Sequence, residues 1–151
     1  MDVDGVLTDG GFWWTAQGEE MKRFCFLDVM GISLGKKAGL VFGIISGETT
    51  PFAEFFARKM DITDVYLGCK DKGAALKLFA ERRAISLENI CYVGDDVNDL
   101  PALEIAGLSA APASAHPSVL QHAQIQLLTQ GGNGAVRELI DHILERHRSL
   151  S

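Results

Sequence analysis

The sequence predicts an α/β fold built on a doubly wound, mainly parallel sheet with a protruding β-hairpin. Three observations carry this expectation. Short, nearly continuous apolar runs recur along the chain, as strands buried on both faces of a parallel sheet require. Amphipathic helical stretches lie between them, so strand and helix alternate. Short polar motifs follow the apolar runs, where sheets of this kind hold their ligands.

The first clear run is LVFGIIS, Leu40 to Ser46, bounded by Gly39 and Gly47. A second, Ile90 to Val93, ends at Gly94, and Asp64 to Leu67 and Leu108 to Ala111 are shorter versions. Thr50 and Pro51 suit the N-cap and first position of a helix through FAEFFARKM. From Asp71 to Arg83 the residues Ala75, Leu76, Leu78 and Phe79 share one stripe. Asn98 to Ala106 ends at Gly107, read as a C-cap. Gly134 to His147 sets Val136, Leu139, Ile140, Ile143 and Leu144 at helical spacing. Gly11 to Phe26 breaks the alternation and reads as two strands around a turn at Gln17-Gly18. Phe12, Trp13 and Trp14 are consecutive, so this hairpin carries aromatic surface on both faces. A single sheet buries only one face, and the other is expected to pack on another subunit.

With 151 residues, 47% hydrophobic and 23% charged, the chain reads as one globular domain spanning 1–151, with the hairpin at about 11–26. No apolar run approaches the roughly 20 residues of a membrane span, and no basic-then-apolar leader is read before the first motif. The net charge of −6 argues against nonspecific nucleic-acid binding and against anionic membranes. Cys25, Cys69 and Cys91 are odd in number and far apart, which suggests neither a disulfide framework nor a zinc site, and a reducing cytoplasm is expected. The histidines do not cluster, so a histidine phosphoenzyme is not expected. The position of Asp2 leaves the strand before it almost absent, and the natural protein is expected to begin several apolar residues earlier.

Four motifs carry the chemistry: Asp2-Val3-Asp4-Gly5, Ser46-Gly47, Lys72, and Gly94-Asp95-Asp96-Val97-Asn98-Asp99. Each has a plain reading on its own, as a turn, a helix start or a solvated acidic loop. Together, at successive strand ends, they suit phosphoryl transfer. Asp2 and Asp4 share a strand face by spacing, and a turn at Gly5 can swing the second one round. One carboxylate can attack phosphorus while the other protonates the leaving alkoxide. Carboxylates beside a phosphate dianion repel it unless cations intervene, and a hard divalent ion with oxygen ligands points to Mg²⁺. Asp2 and Asp95 are its natural ligands, with Lys72 as the second cation. The Ser46 hydroxyl and the Gly47 N–H can hold the transferring oxygens.

In this order the motifs resemble the haloacid dehalogenase-like phosphatases, over essentially the whole chain. DVDGVLTDG (2–10), GEEMKRF (18–24), YVGDDVND (92–99), PASAHP (112–117) and GGNGAVRE (131–138) look like the capless branch. That branch holds the 3-deoxy-octulosonate 8-phosphate phosphatases and the related nonulosonate 9-phosphate phosphatases. The resemblance implies a Rossmann-like sheet without a cap domain, and a phosphoenzyme formed on Asp2. It implies Asp4 as acid and then base, and Mg²⁺ held by Asp2, the Asp4 backbone carbonyl and Asp95, with Asp96 and Asp99 around them. Ser46, Gly47, Glu48 and Lys72 would face substrate. It also implies a homotetramer whose hairpins meet and whose neighbours close each site, and a role in lipopolysaccharide or sialic-acid-like sugar synthesis.

Two positions depart from the pattern. Glu48 stands where octulosonate phosphatases usually have arginine, and resembles the nonulosonate group. Phe56 stands where both groups tend to carry arginine. An arginine can clamp a sugar carboxylate bidentately, whereas Glu48 would accept hydrogen bonds from hydroxyl or amide groups. Arg58, Lys59 and Arg137 remain candidates for a carboxylate contact. The expected function is Mg²⁺-dependent hydrolysis of the phosphate ester of a 2-keto-3-deoxy sugar acid. The alternatives are a broader sugar-phosphate or nucleotide phosphatase, and an assembly module related to domains fused to sugar-activating cytidylyltransferases. No insertion large enough for a phosphomutase cap follows either of the first two motifs.

Overall fold

The computed structural model describes residues 1–149; Leu150 and Ser151, the end of the expected domain, lie outside the described residues. Along the chain run β1 (Trp13–Trp14), β2 (Glu20–Met21), α1 (Phe26–Lys37), β3 (Gly43–Ile45), α2 (Phe52–Lys59), β4 (Asp64–Tyr66) and α3 (Lys72–Arg83). There follow β5 (Cys91–Val93), a short 3-10 turn (Val97–Asp99), α4 (Leu100–Ile105), β6 (Leu108–Ala111), α5 (Pro117–His122), β7 (Ile125–Gln126) and α6 (Ala135–Ser149).

β3 pairs with β4, and β5 with β6 and then β7, all in parallel. Residues 1–2 join the two halves. Ile45 N donates to Met1 O at 2.9 Å, the Met1 ammonium to Gly43 O at 3.0 Å, and Asp2 N to Val93 O at 3.0 Å. The spatial order is therefore β4, β3, the Met1–Asp2 segment, β5, β6, β7. Behind Met1 the slot between β3 and β5 continues as an apolar cavity of about 480 Å³, lined in part by Phe42, Phe79, Tyr92 and Ile140.

Adjacent residues in each strand point to opposite faces, and the core divides accordingly. Ile44, Val93 and Ala110 pack with Ile32 of α1, Phe56 of α2 and Val136, Leu139 and Ile140 of α6. Ile45, Tyr92 and Ala111 pack with Leu76 and Phe79 of α3, Ala102 and Leu103 of α4 and Val119 of α5. Each buried Ile, Leu, Val or Phe side chain contributes about 1.5–3 kcal/mol. Helices on both faces of a parallel sheet make the expected doubly wound α/β fold.

Three details differ from the sequence expectation. α1 is a full helix where none was expected, because its glycines and β-branched residues lower helix propensity. Those glycines let it pack closely. A Cβ on Gly31 would meet Arg137 Cα at 2.9 Å, and one on Gly35 would meet Phe42 Cζ at 2.7 Å. Gly107 does not take the left-handed cap conformation; it is small because a Cβ there would meet the Glu88 carbonyl oxygen at 2.0 Å. The helix expected from Asn98 begins instead with the 3-10 turn, and α4 starts at Leu100.

The hairpin holds only two residue pairs, Trp13 with Met21 and Trp14 with Glu20. Phe12, Trp13, Trp14 and Met21 are all exposed, Trp14 at 67%.

Candidate active site

The carboxyl ends of β3, β4 and β5 and the Met1–Asp2 segment open on one side of the sheet, and there the expected residues gather. Asp2 is fixed by its amide bond to Val93 and is only 5% exposed. After it the chain winds tightly: the amides of Val6, Leu7 and Thr8 all donate to the Val3 carbonyl. Thr8 Oγ1 accepts from the amides of Gly5 and Gly10. Gly5 has φ +84°, and a Cβ there would fall 1.8 Å from Asp95 Oδ2. The glycine thus both permits the turn and makes room for Asp95.

The loop after β5 is organised by Asp99, which is fully buried. Its Oδ1 accepts from Lys72 Nζ at 2.8 Å and from the Tyr92 hydroxyl at 2.7 Å. Its Oδ2 accepts from the amides of Asp95 and Asp96 at 3.0 and 3.2 Å. Asp99 therefore spends its acceptors on scaffolding. Asp96 is exposed and caps the 3-10 turn, accepting from Val97 N at 2.7 Å. The structure does not bring it into the carboxylate cluster.

That cluster is Asp2, Asp95 and Asp99, each with an oxygen within 4.8 Å of the others. Lys72, at the start of α3, is 1% exposed and lies 3.0 Å from Asp2 Oδ1 as well as on Asp99. Asp71 places it by capping α3 through Ala74 N. Burial, then repulsion from the neighbouring aspartates, raises the pKa of both Asp2 and Asp95 well above the ordinary carboxylate range. Burial pulls Lys72 down, but Asp2 and Asp99 outweigh it and hold the ammonium protonated. One lysine faces three carboxylates, so full ionisation of the cluster would leave excess negative charge there. Such a set fits a hard divalent cation.

Asp4 stands apart from this cluster, half-buried, with Lys22 Nζ 2.8 Å from its Oδ1. Ser46 is buried at the end of β3, and its Oγ accepts from Glu48 N at 3.2 Å. Gly47 faces Asn98 across the opening, with its Cβ direction 3.6 Å from Asn98 Nδ2. Glu48 is exposed beside it. Thus Asp2, Asp95, Asp99 and Lys72 come together, Asp4, Ser46, Gly47 and Glu48 lie near them, and Asp96 stays outside the cluster.

Several contributors went unassigned in the sequence. Tyr92 looked like one more apolar strand residue. Lys22 lay in the quoted GEEMKRF stretch without a role. The GGNG turn closes under the first loop: Gly132 N donates to Val6 O at 2.9 Å, and a Cβ on Gly131 would strike Gly5 O.

A family model described as haloacid dehalogenase-like hydrolase matches residues 36–139. The chain belongs to this family. Among the haloacid dehalogenase-like hydrolases it is 40% identical, over 144 residues, to 3-deoxy-D-manno-octulosonate 8-phosphate phosphatase KdsC of Escherichia coli (strain K12). That match covers 95% of this chain and 77% of the relative. The crystal structure of the corresponding Yersinia pestis phosphatase superposes with a TM-score of 0.94 at 38% identity, covering 99% of this chain and 80% of that one. The Moraxella catarrhalis phosphatase, solved in complex with a magnesium ion, a phosphate ion and KDO, gives 0.93 at 32% identity, covering 96% and 83%. As in these family members, the chain has parallel strands between helices and, among the described residues, no cap domain.

Phe56 is buried and stacks on Phe24 with centroids 4.9 Å apart, so that position faces the core. Arg137 is committed to Asp141 at 2.7 Å, and Lys59 lies over the Phe26 ring at 5.4 Å. Arg58 is exposed on α2.

Proposed function

We propose that the chain hydrolyses the phosphate monoester of a 2-keto-3-deoxy sugar acid, of the octulosonate 8-phosphate class, through a phosphoenzyme on Asp2. The observation that carries this reading is the buried Asp2–Lys72–Asp99 contact with Asp95 beside it, in a chain so similar to octulosonate phosphatases. Asp2, Asp95 and the Asp4 backbone carbonyl would hold Mg²⁺, and the ion would offset charge on the phosphoryl oxygens. Supporting this are the raised carboxylate pKa values and the magnesium in the Moraxella relative.

Asp2 attacks phosphorus as the ester P–O bond breaks, and Asp4 gives its proton to the departing sugar oxygen. Water then attacks the aspartyl phosphate while Asp4 takes one of its protons, and phosphate leaves with Asp2 restored. Lys72 turns its ammonium to the transferring oxygens while Asp99 keeps it tethered. Ser46 Oγ and Gly47 N–H supply further donors. Asp96 serves by capping the turn that aims Asp95.

Glu48 supports a second substrate, nonulosonate 9-phosphate, because its exposed carboxylate accepts from hydroxyl or amide groups. Exposed Trp13 and Trp14 support a homotetramer built through the hairpin. Cytoplasmic location is part of the same reading, supported by three free cysteines; no described helix is long and apolar enough to cross a membrane. The test is steady-state kinetics with Mg²⁺ on octulosonate 8-phosphate, nonulosonate 9-phosphate and simple sugar and nucleotide phosphates. A preference of tenfold or less for the sugar acids over glucose 6-phosphate would point to the broad phosphatase. Asp2→Asn should yield no acid-stable phosphoenzyme and no turnover.

A further inference from the structure

Asp4 hangs on a single anchor. Among the described residues its carboxylate has one side-chain partner, Lys22, which reaches it from the strand end of the hairpin, 18 residues away. Lys22 is itself unusually fixed for a lysine. Its side chain is only 6% exposed, against 31% for that of Asp4. Glu20 Oε1 lies 3.5 Å from the Lys22 ammonium, and the Phe52 ring faces it at 5.5 Å. Glu20 in turn accepts from the indole N–H of Trp14 at 3.0 Å. A continuous polar path therefore runs from Trp14, whose ring is exposed, through Glu20 and Lys22 to Asp4.

This path does more than tie down a hairpin. A flexible lysine stem loses about 2 kcal/mol of side-chain entropy when ordered, which two carboxylates and an aromatic face offset here. The ordered ammonium sits on a carboxylate with no other side-chain partner among the described residues. A displacement of about 1 Å at an acid–base group costs on the order of a hundredfold in rate. Trp14 and Glu20 pair directly across the hairpin, so the hairpin's twist sets where the ammonium points.

We infer that Lys22 is a positioning residue for Asp4, held by the Trp14–Glu20 pair, so that the hairpin aims the acid–base carboxylate of the site. This rests on the phosphatase reading above. Lys22 acts through Asp4 and makes no contact with substrate.

The test compares wild type with Lys22→Met, Lys22→Arg, Glu20→Gln and Trp14→Phe, the last keeping an aromatic ring and losing the indole N–H. Octulosonate 8-phosphate and 4-nitrophenyl phosphate are the substrates, with Mg²⁺ saturating. Absence of wild-type turnover on both esters would sink the phosphatase reading itself and is seen before any variant is made. With an active wild type, Lys22→Met is expected to lower kcat on the sugar ester by about tenfold or more, with KM within about threefold. Lys22→Arg should recover most of that loss. The nitrophenolate burst should fall far less than the sugar-ester rate, because that leaving group needs little protonation. Glu20→Gln and Trp14→Phe should show smaller losses of the same pattern, which keeps the test open if Lys22→Met fails to fold. A raised KM with unchanged kcat would make Lys22 a substrate contact and overturn the inference. An equal fall in the nitrophenolate burst and the sugar-ester rate, or no rescue by arginine, would overturn it too.

Discussion

Lys72 Nζ sits 3.0 Å from Asp2 Oδ1, with both side chains almost closed to solvent. It is the only cation within salt-bridge reach of the carboxylate cluster among the described residues. Lys72→Met should lower turnover by about a hundredfold or more, since the donor aimed at the transferring oxygens is gone. Removing one partner of a buried pair costs about 3–5 kcal/mol, but here the carboxylates can answer by taking up a proton. The loss of thermal stability without Mg²⁺ should therefore be larger at pH 8 than at pH 5. Melting curves at both pH values check this, and equal losses would contradict it.

Proton balance gives a second expectation. Asp2 and Asp95 have folded pKa values raised above the ordinary 3.8, by burial first and then by Asp99 for Asp2 and by Asp2 and Asp99 for Asp95. A carboxylate with a raised folded pKa favours the fold below its unfolded value, and that contribution is lost as pH rises through the folded one. In metal-free protein this penalty grows between roughly pH 4 and pH 8. Mg²⁺ binding requires both carboxylates ionised, so it should release protons near neutrality and raise the melting temperature more at pH 8 than at pH 5. Calorimetry in buffers of different ionisation enthalpy measures the release. An identical binding enthalpy in every buffer would refute it.

Gly5 offers a steric test. Alanine there would suffer the left-handed backbone, costing about 1–2 kcal/mol, and its methyl would push Asp95 away. Gly5→Ala should lose activity by about a hundredfold and weaken Mg²⁺ binding, while far-UV circular dichroism stays that of wild type. Wild-type metal affinity in this variant would show that Asp95 is not where the ion binds.

The aromatic hairpin is tested by mass. If hairpins of neighbouring subunits pack together as proposed, Trp13→Asp should lower the molar mass measured by light scattering and reduce activity together. A fully active monomer would separate the hairpin from both assembly and catalysis.

How far the sequence could be read depended on whether a residue's job was local. Ile44-Ile45, Tyr92-Val93 and Ala110-Ala111 announced strands because both faces of each strand needed apolar cover. Asp95, Lys72 and Ser46 were legible because each follows such a strand or opens the next helix, and Asp2 because of its spacing from Asp4 and Gly5. α1 was not, since Gly31 and Gly35 answer to Arg137 and Phe42, far along the chain, and local propensity argues against them. Lys22 was missed for the same reason: its partner is chosen by the hairpin's fold and not by spacing. Asp96, which the resemblance set around the metal ligands, caps the 3-10 turn.

The GGNG turn binds the first and last parts of the chain at the site. Gly132 donates to Val6, Gly131 lies against Gly5, and buried Asp28 of α1 accepts from Arg137 N at the start of α6. These are contacts of high sequence separation, the kind whose loop closure comes late in folding. The Asp2–Asp4 loop thus rests on a floor supplied from far along the chain. Fragments ending before the turn should therefore keep much of the central sheet and lack the ordered loop. The loop that carries Asp2 and Asp4 is then completed only once α6 has docked.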